Sequence, residues 1–154
     1  MEDQNTIIIN DENVSLAEKT LKGNYKKAEE ILNTRDKIEE LLQRAEKKLQ
    51  GIKFKKIRIP KLNIEADPNQ IISYIILMIS LIRMYVVKKY TKIPVGTIIA
   101  VISAILYLVA PIDLIADYIP VIGLVDDAAV ILFCAFMVKS DLDNYAEWKA
   151  ENNI

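Results

Sequence analysis

Residues 93–112, IPVGTIIAVISAILYLVAPI, contain no charged side chain. As a helix this stretch is about 30 Å long, the thickness of a bilayer's hydrocarbon core. A chain that carries it must enclose it in protein or give it to lipid. The surroundings sharpen the choice. Residues 70–138 are mostly Ile, Leu, Val, Ala, Met and Tyr, whereas residues 1–66 are polar and charged. Little protein is left to bury several greasy faces, which favours membrane association.

The neighbouring helices are marked by their ends. Asp67-Pro68 is a helix start, with Asp as N-cap and Pro in the first turn. The helix that follows runs through IISYIILMISLIRMYVVKKY. Basic residues flank it on both sides, Lys53–Lys61 before and Lys88, Lys89 and Lys92 after. The positive-inside rule cannot place both flanks in the cytoplasm if this helix spans. It is therefore read as lying in the interface or packing on its neighbours, with Arg83 snorkelling sideways. Pro94 opens the next helix and Pro111 ends it. Residues 128–138 (AAVILFCAFMV) then return as a short apolar arm, and the hairpin begins and ends near Lys92 and Lys139.

Ahead of this lies a charged helix over 15–51. Ser15 and Glu18 form an S-x-x-E capping box and Gly51 is placed to end it. Leu21, Ala28, Ile31, Ile38, Leu42, Ala45 and Leu49 fall near heptad spacing, interrupted at Asn24 and Arg35. Such a seam packs on its own protein, on a protein partner or on a second copy of the chain. Residues 52–66 are a basic linker suited to an anionic membrane surface, with Pro60 arguing against a central strand. Residues 1–14 are a flexible tail that lacks the basic region of a signal peptide. Residues 141–154 are a polar tail, in which Tyr145 and Trp148 are amphipathic.

The expected fold is all-α: an amphipathic N-terminal helix, then an apolar helix, then a membrane-associated helical hairpin within a 67–140 unit. The N-terminal region is placed on the cytoplasmic side of the membrane. Enzyme chemistry finds little support. The sequence has no histidine, which removes the commonest general base and metal ligand. No phosphate-binding glycine loop is present. Net charge is −1, so no global field points to nucleic acid. The single cysteine, Cys134, sits in an apolar run and reads as a buried structural thiol.

The exception to apolar uniformity is YLVAPIDLIADYIPVIGLVDD at 107–127. Pro111, Asp113, Asp117, Pro120, Gly123, Asp126 and Asp127 read as a structural turn, in which carboxylates cap helix starts. The alternative makes Asp113, Asp117, Asp126 and Asp127 ligands of a divalent cation, since Mg²⁺ and Ca²⁺ prefer oxygen donors. Arg83, Lys88 or Lys89 could neutralise the acids instead. No other cofactor is indicated.

With Tyr107, Leu114, Ile115, Ile119 and Ile122, these residues follow the pattern Y-x-x-x-P-x-D-L-I-P-D-x-I-P-x-I-G-x-x-D-D. The segment from about 90 to 140 resembles the YkvA-type family of small bacterial proteins, a domain of unknown function. Ala116 departs from the proline usual in that family, which removes a fixed φ from the turn. The resemblance implies a short helical hairpin in a membrane-associated domain, and no reaction. The resulting expectation is a non-enzymatic membrane adaptor that binds lipid and uses 15–50 for a partner. A cation-binding or ion-handling membrane protein is the alternative.

Overall fold

The computed structural model describes residues 6–109 and 127–154, with Asp127 described by its backbone alone. The turn residues Pro111, Asp113, Asp117, Pro120, Gly123 and Asp126 lie outside the described residues. Within them the chain is mostly helical, as expected, with one small sheet.

The N-terminal third is more ordered than a tail and one helix. Strand β1 (Thr6–Ile8) comes first, and α1 (Asp11–Gly23) starts ahead of the predicted capping box. Asn10 is the N-cap, its side-chain oxygen accepting from the Asn13 amide at 2.9 Å. Asp11 and Glu12 follow in the first turn, where the helix dipole favours acids. The single helix expected over 15–51 is instead three. Helix α1 ends at Gly23, α2 covers Tyr25–Leu32 and α3 covers Arg35–Gly51. The breaks fall at Gly23-Asn24 and Asn33-Thr34. Gly has low helix propensity, and Asn and Thr offer the backbone competing hydrogen bonds.

The basic linker is also a correction. Its alternation is regular enough to make β2 (Lys56–Ile59), with Ile57 and Ile59 buried and Arg58 outward. The strand stops immediately before Pro60, which opens a short 3₁₀ turn leading to β3 (Ile64–Ala66). Sheet order is β1-β2-β3, parallel then antiparallel. Lys56 pairs with Glu65 across β2 and β3 at 2.5 Å, so part of the basic strip is neutralised within the sheet.

Helix α4 (Pro68–Val86) begins as predicted. Asp67 accepts from the Gln70 amide at 2.9 Å and Gln70 returns the bond to the Asp67 amide at 2.8 Å. Helix α5 is Val95–Val109, α6 is Asp127–Met137 and α7 is Lys139–Glu151. The polar tail is thus a helix whose Leu142 and Tyr145 are buried, at helical spacing.

Helix α5 is the axis of the molecule. It touches α1, α2, α3, α4 and α6, and Ile98, Ile102 and Ile105 are fully buried. The hairpin of α5 and α6 is present, but protein buries α5 from Thr97 to Leu108, with Ile99 alone partly covered in that stretch. The cover comes from the heptad-like seam: Leu21, Ala28, Ile31, Ile38, Leu42 and Ala45 are buried in the same core. The charged N-terminal helices therefore supply the apolar surface that the composition of residues 1–66 had hidden. One fully buried isoleucine is worth roughly 1.5–3 kcal/mol. A charge-free helix is thus a strong organiser for three helices too short and polar to stand alone.

Candidate functional site

The acid-rich turn is the sequence-predicted site, and the structure describes little of it. Asp127 opens α6, consistent with a residue at a helix start. Among the described residues no three His, Cys, Asp or Glu side chains gather into a metal-binding group. Of the cations considered as partners for the acids, Arg83 is engaged by other carboxylates. Arg83 reaches from α4 to two carboxylates of α3, Glu39 at 3.0 Å and Glu46, rather than snorkelling outward. Partial burial works against the guanidinium's charge, but hydrogen bonds to Glu39 and Glu46 outweigh it and leave its pKa raised. Lys88 and Lys89 precede α5 and make no ion pair among the described residues. Lys48 stands at the C-terminal end of α5. It donates from α3 to the Leu108 carbonyl oxygen, where the C-terminal end of a helix attracts positive charge.

The other end of the hairpin is well defined. Two contacts fix its antiparallel register. The Cys134 thiol faces the Ala100 carbonyl oxygen at 3.6 Å, and the Thr97 hydroxyl donates to Asp141 at 2.6 Å. The start of α5, the end of α6 and the first turn of α7 therefore meet at one pole. Burial is complete around Cys134 and pushes its thiol up to about 12, as a structural rather than reactive cysteine requires.

The connection from α4 to α5 runs to this pole. Helix α4 closes with paired C-terminal bonds: the Lys89 amide reaches the Met84 carbonyl at 2.9 Å and the Lys88 amide that of Tyr85 at 3.1 Å. This arrangement needs a left-handed residue after the cap. Lys88 fills that place with φ 63°, where glycine is usual. Tyr90 then turns inward onto Tyr145 and Trp148 of α7, with ring centroids 5.0 Å from each. The Tyr145 hydroxyl meets Ser80 of α4 at 2.6 Å. Burial raises the Tyr90 phenol, with a smaller push from the Asp141 charge. Burial also raises Tyr145, offset in part by the Ser80 hydrogen bond. Tyr145 and Trp148 were visible in the sequence as an amphipathic pair. Their partner Tyr90 gave no periodic signal, because it stands in a loop.

Comparison with known proteins bears on the same hairpin. The model of a protein family of unknown function, DUF1232, matches residues 97–133, from the first turn of α5 into α6. Over 80 residues the chain is 32% identical to the uncharacterized membrane protein YkvA of Bacillus subtilis (strain 168). The alignment takes in 52% of this chain and 76% of that protein. The chain belongs to the YkvA family. All four aspartates of the predicted turn fall inside the 97–133 match. The three-stranded sheet and α1–α3 lie outside the DUF1232 segment of this YkvA-family chain, although α1–α3 help to build the casing of α5. No solved structure matches the chain.

Proposed function

We propose that the protein is a non-enzymatic, membrane-associated module that presents its N-terminal helices to a partner on the cytoplasmic side. The observation that carries this reading is α4. It is 19 residues long and apolar enough to cross a membrane, yet only 33% of its most apolar stretch is buried in the protein. Ile76 is exposed near its middle, and Tyr74, Leu77, Met84 and Tyr85 are only partly covered. A core helix of a water-surrounded bundle hides more of its apolar length than this. Membership of a family whose Bacillus subtilis relative is a membrane protein supports the same reading.

The seam of α1–α3 is spent on α5, so a partner would meet the outward, charged surface. Glu40, Gln43, Arg44 and Lys47 are exposed on α3. Deleting the N-terminal helices would uncover α5, so surface substitutions are the appropriate test. The double variant Glu40→Lys/Arg44→Glu should lose partner recovery in crosslinked pull-downs while the chain still sediments with membranes. Wild-type chain found wholly in the soluble fraction of lysed cells would overturn the membrane reading.

The cation reading of Asp113, Asp117, Asp126 and Asp127 is favoured by one fact: all four lie in the segment that the family model matches. Calorimetric titration with Mg²⁺, Ca²⁺ and Mn²⁺ tests it on the full chain. A binding heat that Asp117→Asn abolishes would support it, and no heat in the wild type would end it.

A further inference from the structure

The exposed apolar side chains at the α5-start pole are accompanied by an excess of positive charge. Val87, Val95, Phe136 and Met137 are 42%, 53%, 45% and 41% exposed. Val87 and Val95 bracket the α4–α5 loop. Phe136 and Met137 end α6 between Cys134, level with Ala100, and Asp141, level with Thr97. In the same loop Lys88, Lys89 and Lys92 are exposed and make no ion pair among the described residues. Of the acids on the facing turn of α7, Asp143 is paired, and Asp141 leaves one negative charge against the three lysines. Asp141 accepts from Thr97, and Asp143 pairs with Lys139 at 2.9 Å. No Asp or Glu occurs between Arg83 and Ile112.

The backbone adds an observation about the residue chosen to end α4. Lys88 holds a left-handed conformation that is costly for any residue with a side chain and free for glycine. A residue kept at a locally unfavourable conformation where its charge points to solvent is the kind of local inconsistency found at functional positions.

We infer that this pole docks on anionic lipid headgroups, with Lys88, Lys89 and Lys92 meeting phosphates and Val87, Val95, Phe136 and Met137 entering the boundary beneath them. This rests on the membrane-associated reading and adds the contact surface and the lipid class. Exposed lysines each add to attraction toward an anionic leaflet, and the apolar side chains add area removed from water. A protein partner at this pole would need an acidic surface; lipid is favoured because exposed aliphatic, aromatic and thioether side chains flank the cations, although Val87 also borders a cleft with Asp36, Glu39 and Arg83.

The test is co-sedimentation of the full chain with phosphatidylcholine vesicles, with and without phosphatidylglycerol. Wild type should bind the anionic vesicles, and salt should weaken that binding. The variant Lys88→Gln/Lys89→Gln/Lys92→Gln should bind them roughly tenfold or more weakly, as should Phe136→Ser/Met137→Ser. Lys88→Gly is the decisive control: it should melt higher yet bind more weakly, which a purely structural lysine would not do. Equal binding to both vesicle types, unchanged in the triple lysine variant, would overturn this surface and leave the membrane reading standing. Binding to neither vesicle would remove both.

Discussion

At the scale of single residues, conflicts between local preference and position are the most informative. Lys88 sits where the helix-ending bonds of α4 require a positive φ. Replacing it with glycine should stabilise the fold by roughly 1 kcal/mol, because the left-handed cost disappears. A rise in the denaturant midpoint with unchanged slope would show it, whereas a loss of stability would mean that the lysine side chain packs. Cys134 is the opposite case, a residue in full agreement with its place. It is completely buried and its thiol is held neutral. Alkylating reagents should leave it unmodified in the native state and label it once urea has unfolded the chain. Rapid labelling without denaturant would contradict its position beneath Ala100. Arg83 shows how one side chain can be misread from its neighbours in sequence. Within an apolar helix it resembles a snorkelling residue, but its carboxylate partners come from α3, more than thirty-five residues earlier in the chain.

At the scale of elements, helix starts were legible where side-chain chemistry is local. Asp67-Pro68 and Pro94 mark the beginnings of α4 and α5, because capping depends on only a few neighbouring residues. The seam Leu21–Ala45 was legible as apolar spacing, but not its destination. Periodicity says that a face is apolar and does not say what covers it. The same gap explains the misplaced surroundings of α5: a charge-free helix reads alike whether lipid or five other helices enclose it. Strand β1 was illegible because it is three residues long and its partner is fifty positions away. The acid-rich segment reads as a turn in the sequence, and all of it but Tyr107–Val109 and the backbone of Asp127 lies outside the described residues. The environment of α5 can be measured directly. Ile102→Ala should cost about 2–5 kcal/mol, whereas Ile76→Ala on the exposed face of α4 should fall within about 0.5 kcal/mol. Comparable small losses at both sites would mean that α5 is not enclosed by protein.

At the scale of the whole molecule, neutral acids that are buried or partly buried shape the response to alkaline pH. The Cys134 thiol and the Tyr25, Tyr90 and Tyr145 phenols all have folded-state pKa values raised mainly by burial. Each therefore contributes stability that is fully present below its unfolded pKa, near 9.0 for the thiol and 10.0 for the phenols. That contribution declines as pH rises from there toward the folded values. Thermal midpoints should accordingly fall above about pH 9, and Cys134→Ala should flatten the first part of the decline. A midpoint that stays level to strongly alkaline pH would show that these groups titrate alike in both states.

The dependence of α1–α3 on α5 also has a consequence in time. Protein synthesis delivers the seam of Leu21, Ala28, Ile38 and Leu42 long before the helix that covers it. A nascent chain that has emerged only as far as Pro94 has three helices with one bare flank each, and nothing yet to close them. Stalled ribosomes carrying that length should recruit chaperones that recognise apolar surface. Ribosomes that have released α5 as well should shed them.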